Sequence, residues 1–212
     1  SEYAQSIGDE TVSYEDHEEI AQEMDKIVSI SERSIQRALS FINSVKSQTR
    51  RVDFQQQQKF NAAEVIEEAL LLVDYIVVQA KCRVEFEQQG QNIEMVGSPG
   101  SLAQIFTNLM SNAIDASVSI DEALIVVDLS RTEKGLLLRV RDQGVGIAAE
   151  IRSKIFDPLF TTKPFGEGTG LGLSIVHDIV TKSFQGTIEV DSKVGVGTTF
   201  SIFLPYLEEM HP

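Results

Sequence analysis

Two asparagines four residues apart, Asn108 and Asn112, share one face of any helix that carries them, and Asp115 sits beside them. Asn is a poor residue for a helix interior, so this spacing costs helix propensity without a packing return. Read alone, the triplet serves as a solvated polar face. Read as chemistry, its amide oxygens line a site for a metal-bound phosphate. A second group, Asp142-Gln-Gly144-Val-Gly146-Ile147, closes a strand-like alternation. Two glycines this close permit positive φ and let a ligand approach the backbone, although by itself the string is a plain turn. A third, Gly166-Glu-Gly168-Thr169-Gly170-Leu171-Gly172, runs straight into a helical pattern. Such a loop offers free backbone amides and a positive dipole end to phosphate oxygens. The segment before it is no strand, and no Gly-Lys-Ser/Thr ending follows, so neither the dinucleotide-binding nor the P-loop pattern fits.

These residues need elements to hold them. Ser98-Pro99 reads as an N-cap with Pro at the first helical position, opening a helix from about Pro99 to Ser117. Leu102, Ile105, Leu109 and Ala113 would bury the side opposite the asparagines. Asn61 and Glu64 have the spacing of a capping box, with Val65, Ile66, Ala69, Leu70 and Val73 on the inner face of a helix. Strand-like stretches at 84–88 and 93–97 flank a Gln-Gly-Gln-Asn turn and are expected to form a hairpin. A second hairpin is expected from 124–130 and 136–141, then a helix over about 170–182 and strands at 187–191 and 198–204. The fold class is therefore α+β: a two-layer α/β sandwich, its sheet mixed but mainly antiparallel, with helices on one face.

Before that sandwich, the chain from about Ser13 to Arg51 reads as one long helix without Gly or Pro. Ile20, Met24, Ile27, Ser31, Ser34, Ala38, Phe41 and Val45 mark one stripe, and Val28, Ile35, Leu39 and Ile42 widen it to the face of a bundle helix. Such a face needs a partner helix from this chain or another copy.

Composition bounds the rest. The chain has 212 residues, 42% hydrophobic and 24% charged, ordinary globular values for one domain plus an appendage. Thirty-two acids against 18 bases give a formal charge of −14, which repels nucleic-acid backbones and argues against such a partner. The single cysteine, Cys82, forms no intrachain disulfide. No apolar run reaches the roughly 20 residues of a membrane helix, and the start lacks the features of a signal peptide. The expected location is cytoplasmic, either free or as the cytoplasmic part of a larger, membrane-bound protein.

Taken in order, the clusters resemble the ATP-binding domain of sensor histidine kinases, of the superfamily that also includes certain chaperones and mismatch-repair ATPases. Asn108 to Asn112 is similar to the N box of that family, and Asp142-x-Gly144-x-Gly146 to its first glycine box. Phe156-Asp-Pro-Leu-Phe160-Thr-Thr-Lys163 resembles the F box, Gly168-Thr169-Gly170-Leu171-Gly172-Leu the second glycine box, and Gly195-Val-Gly197-Thr198-Thr-Phe200 the closing box. The resemblance spans about Phe60 to Leu207.

It implies ATP and Mg²⁺ as cofactors. By family role, Asp142 accepts the adenine 6-amino group, Thr198 fixes the adenine edge, and Gly144, Gly146 and Ile147 line the base. Asn112 supplies an oxygen to Mg²⁺, with Asn108 near the phosphates, and a single amide oxygen suffices for an ion that keeps water and phosphate ligands. Residues 152–167 would form a lid carrying Lys163, and Gly168, Thr169, Gly170, Leu171 and Gly172 would complete the nucleotide site. Many relatives carry Lys at the place of Asp115; here the auxiliary phosphate contact is replaced by an acid.

The implied activity is protein-histidine kinase: γ-phosphoryl transfer to a histidine, then to an aspartate of a response-regulator receiver domain. Residues 1–55 match the second helix of the family's dimerising hairpin, 56–208 the ATP-binding domain and 209–212 a tail, with homodimerisation through the N-terminal helix. The first helix, with the phosphoacceptor histidine, is not matched; His17 lacks the Pro that follows the family's acceptor, and His177 and His211 read as incidental. The alternatives are an ATP-binding regulatory or scaffold protein of the same fold, and a chaperone-like ATPase.

Overall fold

The structure, a computed structural model, describes residues 18–28, 57–90, 92–164 and 168–206. The chain forms two compact units, Ser1–Thr49 with Thr162–Thr169, and Arg50–Thr161 with Gly170–Pro212. In the first unit residues 18–28 are helical (α1), with Met24, Ile27 and Val28 about half exposed. The rest of the long bundle helix expected from the sequence lies outside the described residues.

The second unit holds a two-stranded antiparallel sheet of β1 (Gln58–Asn61) and β3 (Glu94–Gly97), and a five-stranded sheet. The latter runs β2 (Arg83–Gln89), β4 (Leu124–Arg131), β5 (Gly135–Asp142), β7 (Gly197–Pro205), β6 (Thr187–Lys193). Only β2 and β4 pair parallel; the other three pairings are antiparallel. The expected α+β two-layer architecture is what forms. The hairpin expected from 84–88 and 93–97 does not: β3 pairs with β1, and β2 lies parallel to β4. Positive φ at Gly90 and at Asn92 turns the chain away from β2. The turn string resembled a hairpin, but Val84 and Phe86 pack against the core from the edge of the large sheet.

Helix α2 (Ala62–Gln79) starts at the expected cap: Asn61 Oδ1 accepts from Ala63 N at 3.1 Å while its amide donates to Glu64 at 3.0 Å. Such caps are worth about 1 kcal/mol each. Helix α3 (Pro99–Ser117) begins on the Ser98 cap, and Ser98 Oγ accepts from Ser101 N. Its buried stripe includes the four expected positions together with Phe106, Met110 and Ile114. Against it lie the inward residues of the sheet: Ile125, Val127 and Leu129 of β4, Leu136, Leu138 and Val140 of β5, and Phe200, Ile202 and Leu204 of β7. After the glycine-rich loop, α4 (Gly172–Asp178) passes into a π-helical turn, Ile179–Ser183, whose Ile179 and Val180 close the same core.

Candidate functional site

Among the described residues only four polar side chains are buried: Ser117, Asp142, Ser192 and Thr198. Three of them form one row across the sheet. Asp142 ends β5 opposite Thr198 of β7, and Thr198 lies opposite Ser192 of β6. Strand periodicity puts each of the three on the face that Val140, Phe200 and Val190 occupy two residues away. Each strand thus replaces its next inward apolar residue by a polar one at the same end of the sheet. Burying such groups is costly unless they are bonded, so this row is a built feature.

Its centre is Asp142, 4% exposed. Oδ1 accepts from Gly144 N at 2.8 Å and Thr198 N at 3.2 Å, leaving Oδ2 for a third donor. Burial pushes this carboxyl above its ordinary value of 3.8, against the opposing pull of the Gly144 and Thr198 N–H groups. A carboxyl whose pKa is raised by folding stabilises the fold in its protonated form. That stability is present below 3.8 and is lost as pH rises through the raised pKa. If Asp142 accepts from a ligand amino group, as the resemblance implies, that acceptor would follow the opposite course. Ligand affinity should fall on acidification at a pH above 3.8, while the fold gains stability from the same proton; paired nucleotide titrations and melts between about pH 7 and 4 check both signs.

The glycines beside Asp142 are demanded first by the protein itself. A Cβ on Gly144 would lie 2.6 Å from the Ala116 carbonyl oxygen of α3, and one on Gly146, at φ +74°, 2.3 Å from the Lys193 oxygen. Val145 N donates to Ala116 O and Gly195 N to Val145 O, so the loop is stitched between α3 and the β6–β7 turn. Gly197 is the tightest case: at φ +134° its Cβ would meet the Asp142 carbonyl oxygen at 2.1 Å. Gly197→Ala should cost about 3 kcal/mol and lower the melting temperature by about 10 °C; an unchanged melt contradicts this packing.

On α3, Asn108 and Asn112 are half-buried, while Asp115 is exposed at the end of their face. The Asn108 amide donates to Gln104 O within the helix, and its Oδ1 lies 3.2 Å from where a Gly172 side chain would begin. The start of α4 is therefore packed against the asparagine face. Asn112 Nδ2 is buried with no hydrogen-bond partner. A buried amide nitrogen without an internal partner costs about 1–3 kcal/mol and leaves a hydrogen-bond donor open to an acceptor such as a phosphate oxygen.

The segment after Ile147 winds through turns, with Ile155 buried and Phe156 and Phe160 packed on the core as anchors. Leu159 N donates to Gly170 O at 2.9 Å, so the two ends of the excursion meet. Gly170 takes φ +66° against Leu159, and Leu171 is buried. Lys163, Gly168 and Thr169 belong to the other unit, and residues 165–167 lie outside the described set, as do His17 and His211. His177 sits 5.5 Å, ring to ring, from Phe156 and beside Asp178, in a packing role.

Sequence reading missed Ser192. Its Oγ accepts from Ile147 N at 2.8 Å and lies 3.0 Å from both Gly197 O and Thr198 Oγ1. The signal was the β6 alternation, Ile188, Val190, Ser192, ending on a polar residue as β5 ends on Asp142.

Sensor histidine kinase ZraS of Escherichia coli (strain K12) is 39% identical over 141 residues, covering 66% of this chain and 29% of that protein. The chain thus spans less than a third of that curated relative. The nucleotide-free catalytic domain of histidine kinase ThkA superposes with a TM-score of 0.64 at 28% identity, over 70% of this chain and 95% of that one. A ThkA structure in complex with response regulator protein TrrA shares the fold at 20% identity and TM-score 0.66, over 99% of this chain and 56% of that one. Residues 97–208, more than half of the chain and the stretch that holds all five boxes, match one family, and the chain belongs to the histidine kinase-, DNA gyrase B- and HSP90-like ATPases.

Proposed function

We propose that this chain is the catalytic portion of a sensor histidine kinase, which binds ATP with Mg²⁺ and delivers the γ-phosphoryl to a histidine side chain. The observation that carries the reading is the buried Asp142–Thr198 pair, a carboxylate and a hydroxyl at the end of a sheet where the pattern calls for apolar residues. A purine amino group satisfies Asp142 Oδ2, and Ile147, half-buried and packed on the core, would lie against the base. Asn108 would face the phosphates from α3, beside the glycine-rich entry to α4. Lys163, Gly168 and Thr169 would act from the lid, with Gly170, Leu171 and Gly172 at its return.

Asn112 carries an amide oxygen of the hard type that Mg²⁺ takes, and such a cation needs few protein ligands beside phosphate and water. The amide nitrogen, a donor without an internal partner, suits a phosphate oxygen beside the ion. Bound there, the ion would neutralise charge on the triphosphate during transfer. Asn112 would hold it and Asn108 would orient the phosphates. Residues 1–55 would supply the second helix of a dimerising hairpin and 56–208 the nucleotide domain. A response-regulator receiver, homodimerisation through the N-terminal helix and a cytoplasmic setting complete the proposal. The reading is supported by the kinases among the relatives and by the ThkA structure that carries a response regulator.

A histidine-bearing helical hairpin incubated with this chain, γ-labelled ATP and Mg²⁺ tests it. Acid-labile, base-stable label should accumulate on the hairpin. ADP release without labelled hairpin would favour the chaperone-like ATPase, and ATP binding without either reaction would favour a regulatory nucleotide sensor.

A further inference from the structure

The hydroxyl of Ser192, 7% exposed on β6, is the hub of the polar row. Three neighbours lie within reach: Ile147 N at 2.8 Å, Gly197 O at 3.0 Å and Thr198 Oγ1 at 3.0 Å. Its backbone carbonyl in turn accepts from Arg152 Nη2, at the base of the lid. A serine hydroxyl has one hydrogen to give and two lone pairs to fill. Ile147 N–H can only donate, so it takes one lone pair. Gly197 O can only accept, so it takes the hydrogen. The remaining lone pair can be met only by the hydrogen of Thr198. One arrangement satisfies all three contacts, and in it the Thr198 hydroxyl points its hydrogen at Ser192 and turns only lone pairs outward.

We infer that Ser192 is a positioning residue that holds the Thr198 hydroxyl as a hydrogen-bond acceptor, so that the base site presents two acceptors, Asp142 Oδ2 and Thr198 Oγ1, to the 6-position of a purine. This rests on the reading of Asp142 and Thr198 as the base site. A 6-amino purine carries two N–H groups to meet two acceptors. A 6-oxo purine meets them with an acceptor of its own. Without Ser192, the Thr198 hydrogen is free to rotate outward and donate to that oxygen. Base choice is then set partly by a residue one strand removed from the ligand.

The test is titration of the full chain with ATP and with ITP, whose hypoxanthine is 6-oxo and lacks a 2-amino group, in Mg²⁺. Ser192→Ala should reduce the preference for ATP over ITP about tenfold, the worth of one hydrogen bond to a buried group. Ser192→Thr, which keeps the hydroxyl, should retain the preference. Thr198→Val should lose about as much as Ser192→Ala, and adding Ser192→Ala to it should change the preference no further, because the two act through one hydrogen bond. Equal weakening of both nucleotides in Ser192→Ala marks a merely structural role and overturns the inference. So does an unchanged preference in Thr198→Val, the measurement that decides if Ser192→Ala fails to melt cooperatively. Wild-type chain that binds ATP and ITP equally removes the inference together with adenine selection by Asp142. Wild-type chain that binds no ATP removes the nucleotide site altogether. A selective wild type whose preference survives in Ser192→Ala removes the inference alone.

Discussion

Asp142→Asn should weaken ATP binding by about a hundredfold while leaving the fold intact, since about 3 kcal/mol separates a matched from a mismatched partner at a buried charged group. The two consequences separate because the carboxylate has two oxygens with different duties. Oδ1 receives the N–H groups of Gly144 and Thr198, and an asparagine carbonyl oxygen accepts both equally well. Oδ2 becomes an amide nitrogen that confronts the ligand's amino group donor to donor. The variant also loses a carboxyl that burial disfavours in its ionised form, so its melting temperature at neutral pH should not fall. The new amide can donate to a 6-oxo group, which should narrow the gap between ATP and GTP. Retained ATP affinity with a normal melt would show that Asp142 serves the fold alone.

Asn112→Ala should raise stability and remove function together. The Asn112 amide nitrogen is buried without a partner, and Asn is a weak helix former. Replacing it removes an unsatisfied donor and restores helix propensity, worth about 1 kcal/mol combined and readable as a melting temperature a few degrees higher. The same change should abolish the Mg²⁺-dependent part of ATP affinity and slow phosphoryl transfer by about 10²–10³-fold, the usual loss when one preorganised polar group is taken from a reacting centre. Titration with and without chelator, beside a thermal melt, reads both. A less stable variant would mean that the amide has a structural partner. Such opposed effects are expected where a site is held ready at the expense of the fold.

The asparagine face, the caps at Asn61 and Ser98 and the strand ending on Asp142 were legible in the sequence because each depends on residues within one or two turns of each other. The pairing of β2 with β4 was not, because a parallel neighbour arrives through a crossover of more than thirty residues and leaves no local mark. The Gln-Gly-Gln-Asn string looked like a hairpin turn for the same reason: local turn chemistry permits a reversal but does not choose the partner strand. By sequence alone Gly144 and Gly146 make room for a ligand. The structure adds a packing reason, their contacts with Ala116 and Lys193, which are remote in sequence. Ser192 was invisible for a related reason. Its significance comes from register, which sets it beside Thr198, and only the assembled sheet supplies register.

On this proposal the nucleotide site selects adenine through a buried carboxylate. Calorimetric titration of the chain with ATP and, separately, GTP in Mg²⁺ tests it most directly. One ATP should bind per chain, with GTP weaker by about a hundredfold, since a site built around a hydrogen-bond acceptor rejects a purine that lacks the donor. Equal affinities for the two nucleotides would contradict it.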